Sequence, residues 1–373
     1  MHLPLKNLRV LDLSRVLAGP FCAMTLGDLG ASVIKVERTG AGDDTRSWGP
    51  PFDARGQSAY FLSTNRNKLS VALDFRLAED MTLLHALVAK ADVVIENYLP
   101  NVLARFGLDA GAELAQNSQL VWCTISGFGP GNARPGYDFV LQAESGWMSI
   151  TGPELGQPTR TGVALVDVLA GKDATTAILA ALLSRHQPNA QRAVHISLAD
   201  TAAAALVNVA QNALVSGDDA RRWGNAHPNL VPYQLFDACD RPFVVAVGTD
   251  AQWIAATRAL GLDALAADST FATNAGRIAN RARVTEQMSE RLASATALHW
   301  IEQLDMAGVP CGMVRSVREA LDGTAASSAT GVPSSVGGQI RYAPPALNEH
   351  GHLIRTKNWS AFDHVPILDP QDV

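Results

Sequence analysis

The sequence predicts an α/β protein with a doubly wound parallel sheet in a large domain, together with a smaller α+β domain. Two observations predict the sheet: short apolar segments suited to buried strands recur along the first 200 residues, and helical segments of about 8–15 residues separate them. The third observation is the length of 373 residues, which at about 150 residues per domain favours two domains over one. With 47% hydrophobic and 18% charged residues, the chain can bury a large core.

The first strand is predicted at 8–13 (LRVLDL), because apolar and branched residues suit a strand buried on both faces. Pro20 suits the first turn of the helix that follows, through about Leu29, and Gly30 ends that helix. The other predicted strands of the sheet are 31–36, 70–75, 92–95, 120–125 and 193–198. A helix is predicted near 81–89, where apolar residues recur at helical spacing.

Around and after the last strand the composition predicts helices and then a change of texture. Segments rich in Ala and Leu predict helices at 171–184 and 200–215. Past Gly217, charged residues predict a turn, and a loop with Pro and Asn spans 224–232. Beyond it we expect a hairpin around Asp240, with strands at 234–239 and 242–247, and then helices near 250–260 and 284–304.

These elements predict two domains joined by a linker. The large, Rossmann-like domain comprises 1–217 and 335–373, and the small domain comprises 225–325. The segment 325–338 is rich in Ser, Gly and Val, which is typical of a linker. The C-terminal segment has no core of its own, so we expect it to pack on elements already formed.

Charge and cysteine usage exclude several classes of protein. Thirty basic and 36 acidic residues give a formal charge of -6 and a pI near 5.8, which offers no electrostatic footprint for nucleic acid. The four cysteines (Cys22, Cys123, Cys239 and Cys311) lie too far apart for a CxxC clip, and predict reduced thiols in a cytoplasmic protein. The sequence shows neither an apolar signal core nor a run of about 18 apolar residues, so no membrane partner is expected.

The common catalytic motifs are missing from the sequence. The segment after the first predicted strand, SRVLAGPF (14–21), offers only Gly19 where a dinucleotide fingerprint needs three glycines. GxxxxGK[ST], GxSxG and HExxH do not occur, which disfavours a P-loop enzyme, a serine hydrolase of that type and a metal enzyme, and no metal site is predicted. His195 lies in an apolar strand and is interpreted as a structural core histidine.

Asp167 is the leading candidate for a functional carboxylate. It follows the strand-like VALV and precedes Gly171 and a long helix, so it is predicted at a strand-to-helix turn. Open α/β sheets place ligands in such loops, beyond the carboxyl ends of the strands. The residues alone leave two interpretations open: a ligand-site carboxylate, or an aspartate that caps the helix.

Nine segments together resemble the class III CoA-transferases, a family that includes formyl-CoA transferase, carnitine CoA-transferase and the 2-methylacyl-CoA racemases. The segments are SRVLAGPF (14–21), GDLGASVIKVER (27–38), GAGDDTRSWGPPF (40–52), NRNK (65–68), IENYLPNVLARFGL (95–108), ISGFGPGNARPGYDFVLQAESG (125–146), GVALVDVLAG (162–171), GNAHPNLVPYQLF (224–236) and APPALNEHG (343–351). They cover nearly the whole chain in the family's order. The resemblance implies a CoA-binding large domain and an interlocked homodimer.

The resemblance also implies that Asp167 is the nucleophile of a CoA-transferase. It would attack the acyl-CoA carbonyl to give a mixed anhydride, from which the CoA thiolate forms an aspartyl-CoA thioester. With an ordinary pKa of about 3.9, an aspartate is ionised at neutral pH and needs no general base. A pocket that excludes water is expected, because hydrolysis would waste the thioester.

The implied CoA contacts combine backbone positions, apolar residues and arginines. These residues are Val16, Leu17, Arg38, Leu73, Arg76, Asn97 and Arg105. Guanidinium forks suit the 3′-phosphate and the pyrophosphate of CoA. We expect coenzyme A and acyl-CoA as substrates together with a small carboxylic acid, and no tightly bound cofactor.

Departures from the family's motifs narrow the substrate. Leu17 stands where formyl-CoA transferases carry glutamine, so formate and oxalate are not expected. Tyr137 stands where the racemases carry histidine, and a tyrosine with a pKa of about 10 is a poor proton carrier at neutral pH. Asp138 either complements the dipole of a helix or orients the site.

Within the family, GAGDDTRSWGPPF and SAYFLSTNRNK look most like the succinyl-CoA-dependent dicarboxylate transferases, such as the succinate–hydroxymethylglutarate enzyme. Arg46 or Arg160 is predicted to grip the second carboxylate of the substrate, unless each forms only a surface salt bridge. Two alternatives stay open: a 2-methylacyl-CoA racemase, and an acyl-CoA binding protein without catalytic activity.

Overall fold

The computed structural model describes residues 3–324 and 331–368, and the chain divides into two compact units. Unit 1 comprises Met1–Trp147, Thr161–Val215 and Thr324–Val373. Unit 2 comprises Met148–Arg160 and Ser216–Gly323. The two units are defined by which residues pack together, whereas the sequence-based boundaries concern domains that fold independently. Those boundaries therefore stay a prediction.

Unit 1 is built on a parallel sheet with the strand order β3-β2-β1-β4-β5-β6. The strands are β1 (Arg9–Asp12), β2 (Ser32–Arg38), β3 (Lys68–Leu73), β4 (Val93–Glu96), β5 (Val121–Ser126) and β6 (Ala193–Ser197). Each neighbouring pair is parallel. The predicted fold class is therefore confirmed. The order reverses between β1 and β4, and such switch points are where open α/β sheets bind ligands.

Helices cover both faces of this sheet. Along the chain from Ala18 to Ser216 the helices are α1 (Ala18–Asp28), α2 (Ala59–Leu62), α3 (Ala78–Val88), α4 (Val102–Arg105), α5 (Ala110–Gln116), α6 (Asp138–Glu144), α7 (Trp147–Ile150), α8 (Leu165–Ser184), α9 (Leu198–Ala204) and α10 (Val207–Ser216). One apolar core joins the sheet to α1 and α8, and the other joins it to α3 and the C-terminal segment. Gly30 adopts φ +110° directly after α1 and its C-cap Leu29, a conformation that favours glycine.

Helices α1 and α8 pack at very short range, and Gly171 makes that possible. A Cβ atom at Gly171 would lie 2.7 Å from the carbonyl oxygen of Ala18 and 3.0 Å from Cδ1 of Phe21. Only glycine fits this contact without displacing a helix. The contact brings the N-terminal half of α8 beside the loop that leads into α1.

The structure corrects three sequence-based expectations in unit 1. Residues 162–164 form no strand, because α8 already begins at Leu165. The helix predicted at 200–215 is two helices, α9 and α10, which meet at 70° next to Val207, a residue with φ +42°. His195 is exposed rather than a core residue, because β6 is the edge strand and its residues alternate between exposed and half-buried positions.

Unit 2 contains an antiparallel sheet with the order β7-β8-β9, which confirms the predicted hairpin. Its strands are β7 (Tyr233–Asp237), β8 (Pro242–Ala246) and β9 (Cys311–Met313). Its helices are α11 (Asp250–Ala259), α12 (Asp263–Ala267), α13 (Asn274–Ala279), α14 (Arg281–Leu292), α15 (Ala297–Met306) and α16 (Val317–Leu321). These elements share a separate core that includes Phe243, Trp253, Met288 and Trp300.

The C-terminal segment packs on unit 1, as expected. Helix α17 (Gly351–Lys357) and the 3-10 helix Asn358–His364 insert Ile354 and Trp359 into the core beside α3, and Nε1 of Trp359 donates to the carbonyl of Leu87 at 3.1 Å. Of the predicted linker 325–338, residues 325–330 lie outside the described residues.

Within the described residues, no single helix has the length and apolar composition needed to cross a membrane. Helices α9 and α10 meet both criteria only when they are taken together as a bent pair.

Candidate active site

A cavity of about 240 Å³ opens beyond the carboxyl ends of β1, β4 and β5, at the switch point of the sheet. The loop after β1 contributes Arg15, Val16 and Leu17 to its wall. The loop after β4 contributes Asn97, and the first turn of α8 contributes Asp167. The cavity gathers residues from five of the family-like segments, since Asp44 and the segment 125–146 line it as well.

Asn97 holds the loop after β1 in place. Its Oδ1 accepts from the backbone N–H of Arg15 at 2.9 Å, and its Nδ2 donates to the carbonyl of Arg15 at 2.7 Å. The Asn97 amide thus joins the ends of β1 and β4 across the switch point. Its predicted contact with CoA stays a prediction.

Asp167 lies half-buried in the first turn of α8 and does not cap the helix, since the N-cap position belongs to Ala164. The cap interaction comes from Asp138, whose Oδ1 accepts from the backbone N–H of Val166 at 2.8 Å and from that of Asp167 at 3.3 Å. The helix-cap interpretation of Asp167 is therefore wrong. Among the described residues, no hydrogen bond ties the Asp167 carboxylate to the start of α8, and Asp167 lines the cavity.

Asp138 is itself held by hydrogen bonds. Its Oδ2 accepts from Nε2 of Gln142 at 2.6 Å, and Oε1 of Gln142 accepts from the backbone N–H of Thr161 at 2.9 Å. This chain of bonds keeps the Asp138 carboxylate against the start of α8. These contacts are compatible with both predicted roles of Asp138, the one beside a helix N-terminus and the one that orients the site, so both stay predictions.

The electrostatics of Asp167 differ from the sequence-based expectation. Burial, and then the neighbouring Asp138 carboxylate, raise the pKa of Asp167 to about 7. With this raised pKa, part of the Asp167 population is protonated at neutral pH before substrate binds. The expectation of a fully ionised nucleophile at neutral pH is corrected, because it assumed an isolated, solvated side chain.

A second cavity of about 310 Å³ shares Arg15 and Tyr98 with the first. Arg38, Leu73 and Arg76 line it. Six of the seven predicted CoA residues are therefore divided between these two cavities, with Val16, Leu17 and Asn97 in the first.

The predicted arginines of the CoA site are differently placed. Nη2 of Arg38 lies 2.6 Å from Oδ1 of Asp44, and the guanidinium of Arg76 donates two hydrogen bonds to Asp74. Arg105 is exposed on α4 and lines neither cavity. The geometry brings Arg38 and Arg76 together and leaves Arg105 aside.

Arg46 is already saturated by protein partners. Its Nε and Nη2 each lie 2.7 Å from an oxygen of Glu37, and Nη1 donates to Oε1 of Gln57 and to the carbonyl of Pro345. The guanidinium also stacks on Phe61, with 3.6 Å between its carbon and the ring centroid. This arrangement argues against the predicted role of Arg46 as the ligand of a substrate carboxylate, because its fork is filled by Glu37.

The remaining predicted substrate residues have different surroundings. Tyr137 is 58% exposed and lines the first cavity. Arg160 is exposed and belongs to unit 2, so its role stays a prediction.

Two arginines that sequence reasoning did not single out line the cavity of Asp167. Arg15 follows β1 directly, and its Nη1 lies 3.3 Å from Oδ2 of Asp44. Arg134 pairs with Glu144 and stacks on Phe128 at 4.4 Å. Both stand inside quoted family segments, and a search for basic residues within those segments would have found them. Among residues 3–324 and 331–368, no group of three His, Cys, Asp or Glu residues could hold a metal ion.

The chain is similar to known proteins in both sequence and fold. The model of CoA-transferase family III matches residues 5–350. The chain is 42% identical to the succinyl-CoA:glutarate CoA-transferase of Mus musculus, over 85% of this chain and 73% of that protein. It is 40% identical to the succinate–glutarate CoA-transferase of Agrobacterium fabrum, over 85% of this chain and 81% of that protein. A CAIB/BAIF family protein from Brucella suis has a similar crystal structure, with a TM-score of 0.84, 38% identity and coverage of 96% of this chain and 100% of that one.

Proposed function

The chain belongs to CoA-transferase family III, and from this premise we propose that it moves CoA from succinyl-CoA to a dicarboxylate through a thioester on Asp167. The relatives from mouse and Agrobacterium, by their names, act on succinyl-CoA or succinate and on glutarate. The observation that carries the mechanism is the position of Asp167, half-buried with a raised pKa in a cavity at the switch point of the sheet.

The first half of the reaction loads CoA onto the enzyme. One oxygen of the Asp167 carboxylate attacks the thioester carbonyl of succinyl-CoA, the C–S bond breaks, and CoA leaves as a thiolate. The product is a mixed anhydride of succinate and Asp167. The thiolate then attacks Cγ of Asp167, succinate leaves, and the aspartyl-CoA thioester remains.

The second half repeats these steps with the acceptor. A carboxylate oxygen of the acceptor attacks Cγ of Asp167 and releases the CoA thiolate. The thiolate attacks the acceptor carbonyl of the new anhydride, which frees the Asp167 carboxylate and the acceptor's CoA ester. No water enters either half, so bonds and charges balance with Asp167 as the only covalent participant from the protein.

The environment of Asp167 suits this cycle. A carboxylate with a raised pKa is more basic than an ordinary one, and it is poorly solvated, so it reacts more readily with a carbonyl carbon. Asp138 contributes by holding its own negative charge against the start of α8, which keeps the Asp167 carboxylate from settling on the helix N–H groups.

The dicarboxylate preference is proposed to rest on a cation beside the nucleophile. Arg15 lines the cavity of Asp167 and is the candidate for the group that binds the non-reacting carboxylate, because Glu144 already occupies both terminal nitrogens of Arg134. A monocarboxylate of matching length would leave that arginine without its partner. The kcat/KM for the monocarboxylate should therefore be lower than that for the dicarboxylate by about a hundredfold or more.

A panel of acids tests the substrate. The enzyme is incubated with succinyl-CoA and one of glutarate, mesaconate, oxalate, formate or butyrate, and the CoA esters are identified by mass spectrometry. Glutaryl-CoA formation without butyryl-CoA supports the proposal. Equal turnover of butyrate and glutarate would contradict the dicarboxylate preference and leave the transferase chemistry intact.

The covalent step is tested separately. After incubation with succinyl-CoA, hydroxylamine should convert Asp167 to its hydroxamate in a peptide found by mass spectrometry, and Asp167→Asn should abolish both the adduct and the exchange. An unmodified Asp167 peptide from fully active enzyme would overturn the aspartyl-CoA intermediate.

We also propose that the chain forms a homodimer, as the family resemblance implies. Its support is the apolar surface of unit 1: Leu183, Leu214 and Val215 are 85%, 78% and 77% exposed. Large apolar side chains exposed to this degree are typical of surfaces that a second subunit covers.

A further inference from the structure

The loop that forms one wall of the Asp167 cavity contains a strained residue. Val16 has φ +72°, in the left-handed region that β-branched residues avoid. β1 and α1 fix the two ends of this short loop. A change of Val16 to a negative φ would therefore move Val16 and Leu17 away from the cavity that they line. Strain of this kind persists only where surrounding groups enforce it, and such residues cluster at functional sites.

The group that enforces the strain on Val16 is a carboxylate. Both oxygens of Asp43 lie 3.3 Å from the backbone nitrogen of Val16 and accept its N–H. Asp43 is in turn fixed by Thr45, whose backbone N–H and hydroxyl donate to Oδ1 at 3.0 and 2.8 Å. The Val16 N–H has a good acceptor only while the loop keeps its left-handed turn.

A buried lysine completes the arrangement. Nζ of Lys35, from the middle of β2, lies 3.0 Å from Oδ2 of Asp43 and donates to the carbonyl of Ser14 at 3.0 Å. The side chains of Lys35 and Asp43 are 1% and 0% exposed. Lys35 therefore holds the loop directly at Ser14 and indirectly, through Asp43, at Val16.

We propose that Lys35 and Asp43 are positioning residues for CoA transfer: they form a clamp that holds Val16 in its left-handed conformation and so sets one wall of the cavity that Asp167 also lines. This inference rests on the proposed role of Asp167 in that cavity. Neither clamp residue lines the Asp167 cavity; both line the second cavity beside Arg38, and their contacts with the loop after β1 are those to Ser14 and Val16.

Lys35→Met tests the clamp, because it removes the ammonium group and keeps the length of the side chain. We expect kcat to fall about 10- to 100-fold, because the wall formed by Val16 and Leu17 moves relative to Asp167. Val16→Gly in the Lys35→Met background should restore kcat to within about threefold of the Val16→Gly single variant, because glycine adopts positive φ without enforcement.

Lys68→Met is the matched control. Lys68 is 0% exposed and pairs with Asp12 at 2.8 Å, as part of the same buried network, but it donates to the carbonyl of Pro20 and to Asn65 rather than to the loop. Any loss of rate in Lys68→Met should not be reversed by Val16→Gly. Rescue of both lysine variants alike would overturn the clamp, as would an unchanged kcat in Lys35→Met.

Val16→Pro provides a test that does not disturb the buried charges. Proline locks φ near −65° and has no N–H for Asp43, so a folded Val16→Pro enzyme should lose about a hundredfold or more in kcat. Wild-type kcat in this variant would overturn the proposal even if Lys35→Met failed to fold. If Asp167→Asn kept its activity while Val16→Gly rescued Lys35→Met, the assignment of the nucleophile would be wrong and the clamp correct. If Asp167→Asn were inactive and Val16→Gly failed to rescue Lys35→Met, the nucleophile would be correct and the clamp wrong.

Discussion

At the scale of single residues, the chemistry depends on how neighbours change Asp167. Its pKa of about 7 results from burial and from Asp138, two effects that act through space and not along the chain. The Asp167 carboxyl group thus changes between its neutral form and its nucleophilic carboxylate form within the physiological pH range.

The first prediction concerns the pH dependence of the rate. Because the carboxylate is the reactive form, kcat/KM for succinyl-CoA should fall about tenfold per pH unit below about pH 7 and level off above it. Asp138→Asn removes the like charge and should move the midpoint to lower pH. Initial rates between pH 5 and 9 measure both effects. Glu79→Gln, on the exposed part of α3, is the control, and a shift of equal size in that variant would contradict the assignment.

The second prediction concerns stability. Between about pH 4 and pH 7 the unfolded chain loses the Asp167 proton and the folded chain keeps it, so this group lowers the free energy of unfolding as pH rises. Asp167→Asn cannot titrate, and should be more stable than the wild type by about 1–3 kcal/mol at pH 8 but by little at pH 4. Urea denaturation at the two pH values, at one protein concentration, is the measurement. If Asp167→Asn were more stable than the wild type by the same amount at both pH values, desolvation of the Asp167 charge would not be the cause of the difference.

At the scale of elements, the contact of α1 with α8 places the nucleophile. Gly171 lies one helical turn after Asp167, and Ala18, across the contact, lines the same cavity. Any separation of these helices changes the distance between Asp167 and the loop after β1.

The third prediction is that Gly171→Ala pushes the helices apart. Its Cβ would meet the Ala18 backbone at 2.7 Å, so we expect a loss of about 1–3 kcal/mol in the free energy of unfolding and about a tenfold loss in kcat. Gly111→Ala on α5 is the matched control, since its Cβ would approach only Oδ1 of Asp109, at 3.3 Å. Denaturation curves and initial rates of the two variants decide the matter, and equal behaviour would refute the role of the contact.

At the scale of the whole molecule, the proposed dimer accounts for apolar surface that unit 1 leaves exposed. Helix α10 has no buried residue within the described part of the chain, although several of its side chains are apolar. Covering this surface in a second subunit would stabilise both chains through the hydrophobic effect.

The fourth prediction is that the folded state depends on protein concentration. Sedimentation equilibrium should show a dimer, and dilution should lower the thermal midpoint, because a chain without its partner exposes this surface. Leu214→Glu on α10 should weaken the dimer, whereas the exposed Leu155→Glu in unit 2 should not. A folded, stable monomer at nanomolar concentration would contradict the proposal.

The sequence by itself determined the alternation of strands and helices in unit 1, the hairpin of unit 2 and the family. Each of these depends on local properties: apolar runs such as LRVLDL predict a buried strand wherever they occur, and Gly30 ends a helix through its own backbone freedom. The motif around Asp167 also marked that residue before any contact was known.

Only the tertiary structure decided which charged groups are available and how they titrate. Arg46 and Arg15 both follow strands in family-like segments, yet Glu37 saturates Arg46 while Arg15 lines the cavity. The pKa of Asp167 likewise depends on Asp138, 29 positions earlier, and the strain at Val16 on Lys35 and Asp43. Electrostatic interactions and hydrogen bonds depend on distances in space, and a linear pattern of residue types does not contain those distances.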